Sequence, residues 1–391
     1  MFRSKSANRP PARPAIALLL AGVIAAIIGL ISAPGTPGTA SANAEPRPLA
    51  EGLDPVSGLA PVTRIVDFWA LRADASPSDY LSRTQLGFAL LTQARETYDL
   101  VGFEEAENAF AAALDRNRRH APAQLGLGQA VHAQHRFAEA AALASSVLAA
   151  APDRSDARLL LADAQWELGE RDAAAAVYDE LARSQRTAPM LSRLAKVAAA
   201  AGDAAGAVEL AKEAIVLSDA SPLRPSTQAF YRFQVAHFLA EAERPAEAIE
   251  FAEAAVAIEP RHLGAVELLG GLHLEAGDLD AAADRYRKAL QIGAAADLHG
   301  TYAEILALQG DHEGAAEQER IALELAEETI DRFPSERRHL AEFFLSRDPH
   351  RALALAELDL TERQDPEAFE LLERARAAVE ALATPTAEGD G

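Results

Sequence analysis

The 391-residue chain contains no cysteine, and this absence removes several kinds of chemistry at once. Without a thiolate there is no cysteine nucleophile, no zinc site built on sulfur, and no lipid-modified cysteine at a signal cleavage point. Disulfides are also excluded, but a chain of this length with 49% hydrophobic residues can bury a large core without cross-links. The lack of disulfides therefore does not indicate a cytoplasmic location.

Basic residues are scarce. The sequence has 37 Lys and Arg against 59 Asp and Glu, which gives a formal net charge of −22. Residues 1–44 carry four basic residues and no acidic one, so the acidic surplus belongs to residues 45–391. Such a chain repels nucleic-acid phosphates and anionic lipid headgroups, which predicts no nucleic-acid partner and no membrane contact beyond the N-terminus. The charge favours a basic or apolar protein partner, or it only keeps the protein soluble.

Catalytic signatures are also missing. The sequence has no Gly-Lys-Ser/Thr and no His-Glu-x-x-His, and Gly126 and Gly128 lack the third glycine and the preceding strand of a dinucleotide fingerprint. We therefore expect no catalytic residue, no cofactor and no bound metal. A minor alternative is a metal-dependent hydrolase that uses His132 and His135, which are three residues apart and would need a third ligand from elsewhere.

The N-terminus contains one long apolar run. Residues 15–33 carry no charged side chain and follow a basic leader, and as a helix they would be about 28 Å long, close to a bilayer core of about 30 Å. Positive charge before the run predicts that the rest of the chain crosses the membrane. Because 42–44 is a small-x-small cleavage site, residues 1–44 are either a removed signal peptide or an N-terminal anchor. Both alternatives predict an exported, extracytoplasmic protein.

The remainder repeats with a period of 34 residues. The segment FEEAENAFAAAL at 103–114 is echoed by FAEAAALASSVL at 137–148, and related segments begin at 171, 245 and 279. Each is preceded by a second helical segment that has a small residue at a matching point, namely Gly128, Ala162 and Gly270, beside which Phe110, Tyr178 and Tyr286 are expected to pack. Glycines between the two helices predict left-handed turns at Gly169, Gly202, Gly277 and Gly310.

This arrangement of small residues, turn glycine, aromatic residue and terminal proline resembles the tetratricopeptide-repeat family. The resemblance implies an all-α, right-handed α-solenoid of about seven to eight helix pairs, covering residues 78–366. Units are expected to start near 87, 121, 155, 188, 229, 263 and 296, with a degenerate eighth at 333–366. The flanking segments are predicted to be a Pro/Gly-rich linker, two helical caps and a disordered tail, at 45–61, 62–77, 367–383 and 384–391.

An insertion of seven residues separates the fourth unit from the fifth, because Ala207 and Ala248 are 41 rather than 34 residues apart. The insertion, at 222–228, contains Pro222, Pro225 and Ser226. It is either a surface loop or an element that takes part in binding.

The resemblance further implies that the first helices of the units line a concave groove for a peptide or a partner helix. The residues at the corresponding positions are Leu125, Gln129, His132, Leu159, Asp163, Trp166, Phe230, Phe233, His237, Glu267 and Leu274. The Lys and Asn clamp with which some family members hold a C-terminal carboxylate is absent. Trp166 and Phe233 are the expected anchors of a bound segment, or they pack between units.

Together these features predict a non-catalytic scaffold or adaptor of the cell envelope that binds a protein or peptide. An alternative is a structural accessory of a secretion or polysaccharide-export assembly.

Overall fold

The computed structural model describes residues 61–220, 224–333 and 336–383. Within them the chain forms eighteen helices and no strand, so the predicted all-α solenoid of helix pairs is confirmed. The first nine helices are α1 Val62–Ala75, α2 Tyr80–Thr97, α3 Leu100–Arg116, α4 Ala121–Ala133, α5 Phe137–Ala150, α6 Ser155–Glu167, α7 Arg171–Ala182, α8 Ala188–Ala200 and α9 Ala204–Asp219. The remaining nine are α10 Pro225–Glu241, α11 Pro245–Ile258, α12 Leu263–Glu275, α13 Leu279–Ala289, α14 Ala296–Gln309, α15 His312–Arg332, α16 Arg337–Phe344, α17 Pro349–Glu362 and α18 Pro366–Ala383.

Helices α2 to α17 form eight consecutive pairs, which we number as units 1 to 8, each with a leading and a trailing helix. Leading helices begin at Ala121, Ser155, Ala188, Leu263 and Ala296, as the 34-residue period predicts. The eighth unit is shorter, since its leading helix α16 has only eight residues. Helices α1 and α18 cover the two segments expected to cap the array.

A left-handed residue ends the leading helix in each of units 1 to 7. The four predicted turn glycines have φ between 78° and 87°, which confirms their role. The other three turns place Tyr98, His135 and Glu243 in the same conformation, at φ 57°, 60° and 56°. A side chain in this region costs about 1–2 kcal/mol, so these three residues are held there by their surroundings.

Small residues on leading helices receive large side chains from trailing helices. A Cβ on Gly87 or Gly126 would lie 2.7 or 2.2 Å from the ring of Phe110, which is fully buried between them. Gly270 is related in the same way to Tyr286, with 2.7 Å available. Gly128 differs from the expectation, because its free space is taken by Leu160 of the next unit at 2.6 Å rather than by an aromatic ring.

Several predicted segments lie outside the described residues: 1–60 with the apolar run and linker, 384–391, and Pro222 of the insertion. The later part of the insertion is helical, since Pro225 and Ser226 form the first turn of α10. No helix within the described ranges is long and apolar enough to cross a membrane.

The solenoid coils so far that early units touch late ones. Glu96, at the end of α2, accepts hydrogen bonds from Arg224 at 2.6 and 3.1 Å and from the Ser226 hydroxyl at 2.7 Å. These partners lie 128 and 130 residues later in the chain. The neighbouring Tyr98 ring packs against the ring of His262, with centroids 6.4 Å apart.

A second set of contacts joins unit 3 to the C-terminal end of the array. The carbonyl oxygen of Gln364 would lie 2.6 Å from a Cβ on Gly169, so the loop before α18 sits directly on this turn. Beside it, Arg171 forms an ion pair with Glu367 of α18 at 2.5 Å. We call the contacts between the turns of units 1 to 3 and the later units the edge-to-edge interface.

Candidate functional site

A cavity of about 220 Å³ lies inside the fold where units 1, 2, 6, 7 and 8 converge. Its first wall comes from α2, α3 and the end of α4, its second from α12 and the α13–α14 loop, and its third from α15 and α16. The polar side chains on these walls are Arg95, Tyr98, His135, Glu267, Asp297, Thr329, Glu336 and His339. We call this space the central cavity.

Tyr98 links the central cavity to the edge-to-edge interface. Its backbone is left-handed, and its hydroxyl forms a hydrogen bond with the backbone of Gly264 at the start of α12. Burial, together with the carboxylate of Glu267, raises the pKa of Tyr98, so the phenol is neutral across the physiological range. His262, which packs on Tyr98, is also neutral because burial lowers its pKa to about 4.

Glu267 and Asp297 bring two carboxyl groups to the second wall. Glu267 lies on α12 and is 8% exposed, and Asp297 lies in the first turn of α14. Burial and, to a smaller extent, the charge of Asp297 raise the pKa of Glu267 to about 8. No hydrogen bond or ion pair from a described residue reaches the Glu267 carboxyl. Keeping a buried carboxylate charged without a partner costs several kcal/mol, which explains the direction of the shift.

The first and third walls of the cavity carry basic side chains. Arg95 of α2 is buried, and this burial lowers its pKa to about 9. His135 is 6% exposed and contacts the guanidinium of Arg363, whose pKa burial lowers as well. His339, of α16, has its ring 6.2 Å from that of His135. None of these basic groups lowers the pKa of Glu267.

Most residues predicted to line the groove are buried in the fold. Leu125, His132, Asp163, Trp166, Phe230, Phe233, His237 and Glu267 are at most 8% exposed. Gln129, Leu159 and Leu274 are half-buried. Of the eleven residues, Glu267 is the one that lines the central cavity. The part that these residues play in binding stays a prediction.

The acidic groups on the inner face of units 3 and 4 are paired within the protein. Arg193 of α8 donates two hydrogen bonds of 2.7 Å to the carboxylate of Asp163 on α6. Tyr178 donates a third, at 2.9 Å, to the same carboxylate. One turn further along, Lys196 pairs with Glu167 at 2.6 Å. Charges on these neighbouring leading helices therefore neutralise each other, whereas the Glu267 carboxyl at the central cavity has no such partner.

The two predicted anchors both pack between units. Phe233 is fully buried, with its ring against His262 and close to Gly264. Trp166 is 3% exposed and lies between the Arg171 guanidinium and the Lys196 ammonium, at 5.1 and 5.3 Å from its ring. Neither side chain is open to a partner in this structure.

The two histidines of the hydrolase alternative both pack on the ring of Phe137. His132 is fully buried there, and burial lowers its pKa. His135 also contacts the guanidinium of Arg363. Across the described part of the chain, no group of three or more His, Asp or Glu side chains is arranged to hold a metal ion.

Sequence reasoning missed the cavity residues apart from Glu267 and the metal candidate His135. The sequence does contain one signal, which is the absence of glycine from two turns. His135 and Glu243 each lie 34 residues before a turn glycine, Gly169 and Gly277, and so occupy turn positions where glycine is expected. A non-glycine residue at such a position indicates an additional constraint. No comparable signal marks Arg95, Asp297 or His339, whose convergence depends on the coiling of the whole array.

Comparison with known proteins supports the helix-pair assignment. Two models of the tetratricopeptide repeat match the chain, one at residues 131–197 and the other at 91–155 and 236–297. No curated protein sequence matches the chain.

Solved structures share the architecture at low sequence identity. The human IFIT1 dimer with PPP-AAAA is 19% identical over 77% of this chain and 73% of that one, with a TM-score of 0.53. A monomeric IFIT1 mutant with Gppp-AAAA is 17% identical over 81% and 76%, with a TM-score of 0.54. The APC/C hetero-tetramer Cut9-Hcn1 gives 15% identity and a TM-score of 0.48, and the chain spans 53% of that longer chain. At these identities the likeness shows the fold alone. Residues 91–197 and 236–297 therefore match the tetratricopeptide-repeat models, and the other described units continue the same helix-pair solenoid.

Proposed function

We propose that the protein is a non-catalytic scaffold of the cell envelope that holds a segment of another protein at the interior of its solenoid. Tetratricopeptide repeats generally mediate protein–protein interaction, which supports the coarse assignment. The observation that supports the finer assignment is the central cavity, because five units converge on it and the Glu267 carboxyl faces it without a hydrogen bond or ion pair from a described residue. A concave site with a few polar groups on an apolar lining is suited to binding a ligand.

The export part of the proposal rests on the sequence of residues 1–44. A basic leader followed by nineteen uncharged residues supports translocation, with either cleavage after Ala44 or retention of 15–33 as an anchor. N-terminal sequencing of the protein isolated from its native cells distinguishes the two. A mature protein that starts at Met1 and is protected from external protease in spheroplasts would contradict export.

The chemistry of the partner follows from charge. The acidic surplus and the carboxyl groups of the cavity favour a basic or apolar segment and oppose phosphate. The IFIT1 structures are of that protein with PPP-AAAA and with Gppp-AAAA, but the similarity of this chain to them extends only to the fold. We therefore propose a protein partner and no nucleic acid.

Blocking the cavity tests the proposal with the core left intact. Ala294 is exposed and lies in the α13–α14 loop that lines the cavity, so Ala294→Trp fills the entrance without removing a buried side chain. Ala149, exposed on α5 away from the cavity, gives the matched control Ala149→Trp. We expect the full-length chain, cross-linked in its native cells, to capture one stoichiometric protein that Ala294→Trp loses and Ala149→Trp retains. Equal capture by both variants would contradict binding at the interior.

The identity of the captured protein separates the adaptor from the structural accessory. A stable complex with an integral membrane component would favour the accessory of a secretion or polysaccharide-export assembly, for which 15–33 supplies a means of membrane attachment. A soluble envelope partner would favour the adaptor.

A further inference from the structure

The starting point is the carboxyl group of Glu267, which the fold buries without satisfying. Its side chain faces the central cavity, is 8% exposed, and has no hydrogen-bond donor or cation among the described residues. A buried carboxyl in this state weakens the folded state, and a bound cation offsets part of that cost. The Glu267 carboxyl therefore destabilises the empty fold and is available to bind a cationic ligand.

Asp297, in the first turn of α14, adds a second carboxyl group to the site. Its carboxylate lines the same cavity, interacts electrostatically with Glu267, and forms no ion pair with a described Lys or Arg. The phenol of Tyr98 and the ring of Phe103 line the first wall, where they offer a hydroxyl acceptor and an aromatic face. Two carboxyls with aromatic neighbours match the needs of an organic cation, which gains from both charge and ring contact.

The basic residues on the cavity lining do not already serve as this cation. Arg95, His135 and His339 come from α2, the turn after α4, and α16, and none of them depresses the pKa of Glu267. A metal ion fits less well, since within the described ranges no three ligating side chains converge. At about 220 Å³ the cavity is below the roughly 300–1,000 Å³ of drug-sized ligand sites, so it suits one side chain or a small amine.

We propose that the central cavity is a binding site for an ammonium or guanidinium group, held between the carboxylates of Glu267 and Asp297 beside Tyr98. The group is either the end of a lysine or arginine side chain of a bound protein or a free small amine. In the first case the site rests on the proposed function and is its specificity determinant; in the second it is independent of any protein partner.

Calorimetric titration of the purified full-length chain tests the site without a partner. The probes are N-acetyl-lysine methylamide and N-acetyl-arginine methylamide for the side-chain source, putrescine for the free amine, and N-acetyl-norleucine methylamide as the uncharged isostere. We expect at least one cationic probe to bind and the isostere not to bind. Glu267→Gln should weaken cation binding by at least about tenfold, because a buried charge pair loses one member.

A control variant and a second measurement test whether the binding is specific to Glu267. Glu275→Gln changes an exposed carboxylate on the same helix that does not line the cavity, and it should leave the affinity unchanged. Because Glu267 is largely protonated at pH 7, cation binding should release a proton, seen as a dependence of the heat on the ionisation enthalpy of the buffer.

The titration results distinguish the two origins of the cation and show which result would overturn the site. Binding of blocked lysine or arginine supports a protein side chain, and binding of putrescine alone supports a free amine. Equal binding by wild type and Glu267→Gln, or no binding of any cation, would overturn the site. Neither of these results touches the capture experiment with Ala294→Trp, so the scaffold proposal stands or falls separately.

Discussion

Arg224 and Glu96 are 128 residues apart in sequence, yet their side chains form a two-pronged ion pair at 2.6 and 3.1 Å. Each side chain is only 20% exposed, so the pair is shielded from solvent. It joins the end of the first leading helix to the start of the fifth. The pair shows that the array coils far enough for unit 1 to contact unit 5.

Removing Glu96 should weaken this contact. Glu96→Ala leaves Arg224 and Ser226 without their shared acceptor, and a half-buried charged hydrogen-bond set of this kind contributes about 1–3 kcal/mol. We expect the urea midpoint to fall and amide exchange to increase at the start of α10. Glu180→Ala is the matched control, because its pair with Arg158 joins consecutive helices at the exposed surface and its loss should change the midpoint little. Equal effects of the two variants would argue against a structural role for the contact.

Gly169 offers a second test of the edge-to-edge interface through backbone geometry. Gly169 and Gly277 have φ of 86° and 78°, so alanine at either position costs about 1–2 kcal/mol of strain. At Gly277 nothing lies within 4 Å of the added Cβ, whereas at Gly169 the Gln364 carbonyl lies at 2.6 Å. Gly169→Ala should therefore lower the free energy of unfolding by about 1–3 kcal/mol more than Gly277→Ala, by overpacking. Denaturant melts of the two variants measure the difference, and equal losses would mean that the loop before α18 does not press on this turn.

Breaking the buried pair of Asp163 and Arg193 should lower the free energy of unfolding more than replacing both residues by apolar ones. The two side chains are 4% and 1% exposed, and Tyr178 completes the hydrogen bonding. Asp163→Asn or Arg193→Met alone should destabilise by about 3–5 kcal/mol, because each leaves an uncompensated buried charge. The double change Asp163→Leu with Arg193→Met removes both charges and should cost less than either single change. A double variant less stable than both single variants would contradict this expectation.

Glu267 predicts a pH dependence of stability. Its pKa is about 8 in the folded chain against 4.5 in the unfolded chain, so between these values the native state binds the extra proton. The free energy of unfolding must then fall as pH rises from about 4.5 to about 8, with a limiting slope of about 1.4 kcal/mol per pH unit. The groups facing Glu267 are Asp297 of α14, Tyr98 of the first turn and Tyr286 of α13.

Glu267→Gln replaces the titratable carboxyl by a neutral amide of similar size and shape. Other carboxyl groups with raised pKa, including those of Glu342 and Asp365, remain in both proteins. The difference in stability between variant and wild type should therefore grow with pH over this window. Chemical denaturation at a series of pH values measures it, and a constant difference would mean that Glu267 is charged in the native state.

The local parts of the fold could be predicted from the sequence because each unit repeats the same short-range pattern. Helix starts at Ala121, Ser155 and Leu263 and the glycine turns follow from residues within one period. The site could not, because contacts such as His135 with Arg363 span 228 residues and depend on small rotations added over several units. The pairing of Asp163 with Arg193 joins two neighbouring units, so the pattern within one unit does not reveal it.

The central claim is that the solenoid coils back on itself and encloses the central cavity, and one distance tests it directly. Glu104 of unit 1 and Arg332 of unit 7 are exposed and come within 3.9 Å of each other. Because the chain has no cysteine, Glu104→Cys with Arg332→Cys gives two unique spin-label sites, and Arg158→Cys with Glu180→Cys gives a reference pair on adjacent helices. The continuous-wave electron resonance spectrum of the frozen full-length chain should show strong dipolar broadening for the first pair, comparable to that of the reference. An unbroadened spectrum for the first pair, with a pulsed measurement giving several nanometres while the reference stays broadened, would contradict the account.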